Sequence, residues 1–240
     1  MHLDAYLTQL KARDMAAPDS LQLQSAFADQ LFGLYQTAEA RGLERGGPLL
    51  YDHGTGTFAV GEVAEGLPFA MNIPVTDHPG NFGDVHAHPS ASIGHAGGYS
   101  AHSMDDLWNF RKTVTKPYWI QFVVSGTWLY ALVQVNGVSK WDNTVQGFLA
   151  ERGDVEVGRM TEAIEKLVGG PAKWKAMKEK VALLEDKVKY EGLLAEYKDK
   201  AKVGPLMQNL SVKHCAEFAR AYNFCFYTGQ GNTLTRMLSA

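Results

Sequence analysis

Apolar side chains recur at helical spacing in the first part of the chain. Residues 3 to 16 and residues 20 to 41 both show this pattern. Asp19 and Ser20 are suitable N-cap residues for the second segment, and Gly42 is a suitable stop. The pattern therefore predicts two amphipathic helices before residue 43.

The pattern changes to strands after residue 45. GGPLLYD, the turn residues HGTG and then TFAVGEV indicate a hairpin of two strands. Residues 72 to 98 are rich in Pro, Gly, His, Asp and Asn and predict mostly loop, interrupted by FGDVHAHP, which can end a strand. Ser103 then caps a predicted helix, and PYWIQFVVSGTWLYALVQVNG predicts two strands that turn at Ser125 and Gly126. These two strands should form the buried centre of a sheet.

The last part of the chain is dominated by helix-forming residues. Residues 172 to 202 form one densely charged helical pattern, which is typical of a solvated face or, alternatively, of a helix that binds a partner. A final helix near residues 210 to 222 leads to FCFYTGQGNTLTRM, a candidate returning strand. The chain thus divides into N-terminal helices at 1–42, a core at 43–142 and a mainly helical C-terminal extension at 143–240.

The composition is that of a soluble globular protein, with 45% hydrophobic and 20% charged residues in a chain of 240. A net charge of -3 leaves no broad basic face, so nucleic acid is not expected as a partner. The first residues lack the apolar segment of a secretory signal, and no apolar run is long enough to cross a bilayer. We therefore expect no membrane partner and a cytoplasmic location, or export by a signal-free route. Cys215 and Cys225 lack the spacing of a metal site and are expected to be buried or free thiols.

Histidines are concentrated in one short stretch, where four of the eight lie between residues 86 and 102. Ala87 separates His86 from His88. On an extended segment, side chains two positions apart project to the same side, so both imidazoles can reach one ion. A catalytic zinc site takes about three ligands from the protein and leaves one position for water. Asp105 and Asp106, at the start of the predicted helix, are candidates for the third ligand. Neighbouring helical side chains point about 100° apart, so only one of the two can face the metal.

The order of these residues resembles the JAMM (JAB/MPN) family of zinc metallopeptidases. Members carry an upstream Glu, then H-x-H-P, then S-x-x-D, and this chain has Glu44, HAHP at 86 to 89 and SMDD at 103 to 106. The resemblance favours Asp106 over its neighbour as the ligand that joins His86 and His88. It covers about residues 20 to 140.

This resemblance implies both a fold and an activity. The fold would be a mixed α/β (α+β) one, with a cytidine-deaminase-like mixed sheet flanked by helices and residues 43 to 142 as the catalytic core. Zn2+ would be the cofactor, Glu44 the general base, and Ser103 a donor to the oxyanion. The substrate would be a protein or peptide, ubiquitin-like conjugates included, cleaved at a peptide or isopeptide bond. The inserted loop and C-terminal region favour a bacterial effector or toxin, or a phage-related peptidase, over the eukaryotic deubiquitinases.

The sequence departs from the family in two respects. Seventeen residues separate His88 from Asp106, a longer spacing than is usual, and Ala87 replaces the common Ser or Thr. A longer loop need not move its ends, because the entropy of loop closure grows only slowly with length. His95 and His102, in this inserted loop, are either exposed histidines, substrate contacts or auxiliary ligands.

Other assignments remain open. Glu62 and Glu65 lie closer to the histidines in the sequence than Glu44 does, and they are alternatives for the general base. The serine at position 103 would also be explained by helix capping alone. DVHAHP resembles the D-x-H-x-H motif of amidohydrolases and PHP-type phosphoesterases, but only His214 follows residue 102 to complete such a barrel site. A non-catalytic MPN-type scaffold that binds a partner is the remaining alternative.

Overall fold

The described part of the chain is organised around one mixed sheet of nine strands. The computed structural model describes residues 1–12, 17–67, 71–73, 77–90, 100–112, 119–134, 162, 165–166, 169–173, 175–176, 200–222 and 224–238. Its named helices are α1 (Leu3–Ala12), α2 (Ser25–Arg41), α3 (Met104–Lys112) and α4 (Lys200–Tyr222). Its strands are β1 (Ser20–Gln22), β2 (Arg45–Asp52), β3 (Thr57–Val60), β4 (Ala64–Glu65), β5 (Asn81–Ala87), β6 (Ile120–Ser125), β7 (Trp128–Gln134), β8 (Phe224–Gln230) and β9 (Thr233–Arg236).

The strands follow the order β1-β9-β8-β7-β6-β5-β2-β3, and β4 pairs with β2. Among the described strands, β5 and β6 form the one parallel pair, and the other pairs are antiparallel. The mixed α/β class predicted from the sequence is therefore confirmed. The described strands do not form the parallel barrel that the amidohydrolase alternative would require.

Helices cover both faces of the sheet, so the central strands are buried on both sides. Every residue of β5 and β6 is buried. Neighbouring side chains in a strand point to opposite faces, so Phe122 packs on the side of α1 and α2 while Val123 packs on the side of α3 and α4. The predicted metal ligands lie on the face covered by α3 and α4.

The predicted start of the second helix was wrong. Ser20 does not cap a helix but begins β1 and pairs with Thr235, and α2 starts only at Ser25 after Gln24. The partner strand lies at the far end of the sequence, so local patterns could not indicate the pairing. The predicted stop was right, since Gly42 takes a left-handed conformation with φ 64° and its N–H caps the helix.

The structure adds strand where the sequence indicated loop. The first six residues of FGDVHAHP belong to β5, a fully buried strand near the middle of the sheet, and His88 and Pro89 follow it. The single strand expected after residue 223 is a hairpin, β8 and β9, and β8 pairs with β7, so these residues join the same sheet as residues 43 to 142. The charged helix predicted at 172 to 202 lies mostly outside the described residues. No helix in the described part of the chain is long and apolar enough to span a bilayer.

Candidate metal centre

His86 and His88 lie at the end of β5, where strand geometry directs both imidazoles to one side. The backbone of His86 is opposite Gly46 on β2 and Val123 on β6. His88 follows the strand and continues its ladder, because its N–H donates to the carbonyl of Val124 at 2.9 Å. The two residues are 3% and 1% exposed. A central strand therefore holds the pair rigidly and shields it from solvent.

Asp106 reaches the histidines from the first turn of α3. Ser103 is the residue before this helix, and its N–H donates to Oδ2 of Asp106 at 2.6 Å. In return the N–H of Asp106 donates to Oγ of Ser103 at 3.2 Å. This reciprocal pattern is a capping box, and it fixes the carboxylate at the helix N-terminus. Asp105, the rival ligand, is exposed.

His86, His88 and Asp106 bring potential metal-ligand atoms close together. Nε2 of His86 lies 2.9 Å from Nε2 of His88 and 3.1 Å from Oδ1 of Asp106. Oδ2 of Asp106 lies 3.5 Å from Nε2 of His88. Ligands about 2 Å from a tetrahedral ion are roughly 3.3 Å from each other, so the spacing fits one metal ion. The three residues therefore form a group that could bind a metal ion.

The charges of the site depend strongly on one another. Burial would raise the pKa of Asp106, but the imidazoles of His86 and His88 outweigh burial and hold that pKa well below its ordinary value. Burial by itself would lower the pKa of His86, but Asp106, with smaller contributions from Glu44 and Asp84, raises it to about 9. Without a metal ion the site is therefore an ion pair, in which a proton takes the place of the cation.

Glu44 lies next to this group. It immediately precedes β2, its side chain is buried at 4% exposure, and its charge acts on His86. Both backbone polar groups of Glu44 form hydrogen bonds: its N–H donates to the carbonyl oxygen of Leu67, and its own carbonyl oxygen accepts from the N–H of Gly66. The alternative bases are placed differently. Glu65 forms ion pairs with two arginines, Arg41 and Arg45, and Glu62 is exposed.

His102 is buried at 2% exposure, so the interpretation as an exposed histidine was wrong for this residue. Its Nε2 lies 3.1 Å from the carbonyl oxygen of Gln121. A carbonyl only accepts, so Nε2 carries the proton and Nδ1 is an acceptor. Burial lowers the pKa of His102 to about 3, which keeps the ring neutral. It does not belong to the converging ligand group, and His95 lies outside the described residues.

Sequence reasoning missed two polar neighbours of the ligands. Asp84 lies two residues before His86, on the same side of β5, and its Oδ1 accepts a hydrogen bond from Nε2 of Gln121 at 3.1 Å. Burial raises the pKa of Asp84 to about 6. Ser100 contacts Nδ1 of His88 through Oγ, at 3.2 Å. The alternation in DVHAH signalled Asp84, whereas nothing local marked Ser100.

The structure thus brings together the three predicted ligands, with Glu44 beside them and Ser103 bonded to one of them. Comparison with protein-family models, with curated proteins and with solved structures gave no match. Family membership therefore remains a prediction from the motif. His86, His88 and Asp106 form a buried centre that could bind a metal ion.

Proposed function

We propose that this chain is a zinc-dependent metallopeptidase that hydrolyses peptide or isopeptide bonds. The observation that carries the proposal is the convergence of His86, His88 and Asp106 with a buried Glu44 beside them. Two imidazoles and one carboxylate are a ligand set used by catalytic zinc sites, which leave a further position for water. Imidazole nitrogens favour zinc over magnesium or calcium, which prefer oxygen ligands.

The residues around the group suit a hydrolytic reaction. When bound, zinc lowers the pKa of water toward about 7 and polarises the scissile carbonyl. Glu44 accepts the proton of the attacking water and returns it to the leaving amine. Its burial and its electrostatic effect on His86 support this assignment.

Ser103 supplies a second polar group. Its Oγ accepts the N–H of Asp106, which leaves the hydroxyl proton available for another acceptor. We assign that proton to the oxygen that becomes negative as water attacks the carbonyl. Ser103 therefore caps the helix and stabilises the reacting oxygen.

The substrate is a protein or peptide, and ubiquitin-like conjugates belong to the class tested first. The resemblance to JAMM peptidases supports this choice, and the inserted loop favours a bacterial effector or a phage-related enzyme. Both are arguments by analogy, because a fold does not specify a substrate.

The test compares three variants of the full chain. The mechanism predicts about one zinc per chain in the wild type and in Glu44→Gln, with hydrolysis by Glu44→Gln reduced about 100-fold or more. His88→Ala should lose both zinc and hydrolysis. Glu62→Gln is the matched control, because Glu62 is an exposed carboxylate in the same part of the chain, and it should behave as the wild type. Zinc is measured by elemental analysis and hydrolysis by mass spectrometry.

Linked ubiquitin chains, ubiquitin-like conjugates, a cell lysate and small phosphoesters form the substrate panel. New protein termini in the lysate would identify the cleaved bonds. If only the phosphoesters are cleaved, the peptidase assignment is wrong and the chain is a phosphoesterase. A wild type without zinc would favour the non-catalytic scaffold, and a full rate in Glu44→Gln would remove Glu44 from the base role.

A further inference from the structure

Residues 100 to 102, which precede Asp106 in the chain, are held by helix α4. Residues Ser100, Ala101 and His102 lie after His88 and before Asp106 in the chain, and they are 8%, 0% and 2% exposed. The segment is neither helix nor strand, so its buried backbone groups need partners from elsewhere.

Two side chains on one face of α4 supply those partners. The N–H of Ala101 donates to Oγ of Ser211 at 3.0 Å. The thiol of Cys215 donates to the carbonyl oxygen of His102 at 3.4 Å. Residues four apart on a helix share a face, so one turn of α4 holds both peptide groups.

The hydroxyl of Ser211 is itself fixed. It accepts a hydrogen bond from the N–H of Ala101 and donates one to the carbonyl of Gln208 at 3.0 Å, so its proton and one of its two lone pairs are engaged. Removing it would leave the buried N–H of Ala101 without that partner, which is costlier than losing an exposed hydrogen bond.

Ser100, the neighbour of Ala101, contacts His88 of the candidate ligand group. Nδ1 of His88 lies 3.2 Å from Oγ of Ser100 and 3.4 Å from its carbonyl oxygen. A carbonyl oxygen only accepts, so these contacts suit the tautomer with the proton on Nδ1, in which Nε2 is the bare nitrogen that faces His86 and Asp106. That is the tautomer a metal ligand requires, and such outer partners orient metal-bound histidines.

We propose that Ser211 is a positioning residue for the metal centre, which it acts on through Ala101, Ser100 and the ring of His88. The proposal rests on the proposed metal binding but not on the peptidase reaction. It links His88, which directly follows β5, to a helix more than 100 residues further along the chain.

The test measures the zinc affinity of Ser211→Ala by competition with a chromophoric chelator. We expect a loss of about 10- to 100-fold, and a Co2+ absorption spectrum shifted from that of the wild type. Ser211→Thr keeps the hydroxyl and should restore both. Ser100→Ala should lose about tenfold, because the carbonyl of Ser100 still contacts His88. Thr37→Ala is the control, since Thr37 is exposed on α2 and its hydroxyl bonds only within its own helix.

Thermal unfolding in a chelating buffer separates positioning from general stability. A lower melting temperature in Ser211→Ala with wild-type zinc affinity and Co2+ spectrum would overturn the proposal. If Ser211→Ala does not fold, Ser100→Ala provides the test instead. A wild-type zinc affinity in Ser100→Ala would then overturn the proposal. A wild type that binds no zinc would overturn the proposed function as well, whereas wild-type affinity in these variants would overturn this proposal alone.

Discussion

Ser103 and Asp106 exchange two hydrogen bonds, 2.6 Å and 3.2 Å long, at the start of α3. The same carboxylate faces the imidazoles, with Oδ1 3.1 Å from His86. The same carboxylate therefore belongs to the helix cap and to the group that could bind a metal ion. Ser103 therefore contributes to helix capping, to the orientation of Asp106 and, in the proposed mechanism, to stabilising the reacting oxygen.

Glycine at position 103 separates capping from catalysis. Glycine is nearly as good an N-cap as serine, whereas alanine costs about 1 kcal/mol. We expect Ser103→Gly to retain zinc and a melting temperature close to the wild type while kcat falls about 100-fold, the typical cost of removing an oxyanion donor. Ser103→Ala should lose both stability and rate. A Ser103→Gly enzyme with a wild-type kcat would leave Ser103 as a cap only.

Zinc affinity should rise with pH. The pKa of His86 in the metal-free protein is raised to about 9 despite burial, mainly by Asp106, so at neutral pH this ring carries a proton that must leave before the nitrogen can bind metal. Affinity should therefore increase about tenfold for each pH unit from 7 to 9 and level off above 9. Chelator competition at several pH values measures this slope, and titration calorimetry in buffers of different ionisation enthalpy counts the released proton. A flat profile would contradict the ion pair.

Asp84→Asn should stabilise the metal-free protein at neutral pH. Burial raises the pKa of Asp84 to about 6, above its unfolded value, so its contribution to stability is present below the unfolded pKa and is lost as pH rises through 6. Asparagine can still accept from Gln121 and carries no charge. We expect a gain on the order of 2 kcal/mol at pH 8 and none near pH 4, measured by urea unfolding with a chelator present. Equal stabilities at pH 8 would show that the charge is compensated.

Gly46 and Gly33 differ in the space that an added methyl group would have, so alanine should have opposite effects at the two positions. A methyl group at Gly46 would collide with the carbonyl oxygen of Val85 and lie 2.9 Å from Cβ of His86, so β2 would have to move away from the metal centre. We expect Gly46→Ala to cost about 2 kcal/mol or more and to weaken zinc binding. At Gly33, in the middle of α2, the added methyl group would have no atom of the described residues within 4 Å apart from its chain neighbours and the backbone of its own helix. Gly33→Ala should stabilise by about 0.5 to 1 kcal/mol and leave zinc unchanged. Urea unfolding and chelator competition test both, and a tolerated Gly46→Ala would contradict the close packing.

The candidate ligands could be predicted only in part from local geometry. Strand alternation places His86 and His88 on the same side of the chain. Local geometry left Asp105 and Asp106 open as the third ligand, and the resemblance carried by S-x-x-D favoured Asp106, which lies beside both imidazoles. β1 could not be predicted, since its three residues form a strand by pairing with β9, which is remote in the sequence. Ser211 was missed for the same reason, because its partner Ala101 is remote in the sequence. Local patterns specify which side chains share a face, whereas the supporting contacts come from segments that meet only in the folded chain.

The pairing of β1 with β9 also sets an order of events during synthesis. Gln22 and its partner Thr233 are 211 residues apart, so a ribosome adding about 5 to 20 residues per second exposes the first strand roughly 10 to 40 s before the last one emerges. Throughout that interval Ser20–Gln22 lacks the strand it pairs with in the finished sheet. The pairing of β1 with β9 therefore follows translation of the β8–β9 hairpin, and until then the unpaired backbone groups of β1 are open to pairing with another strand.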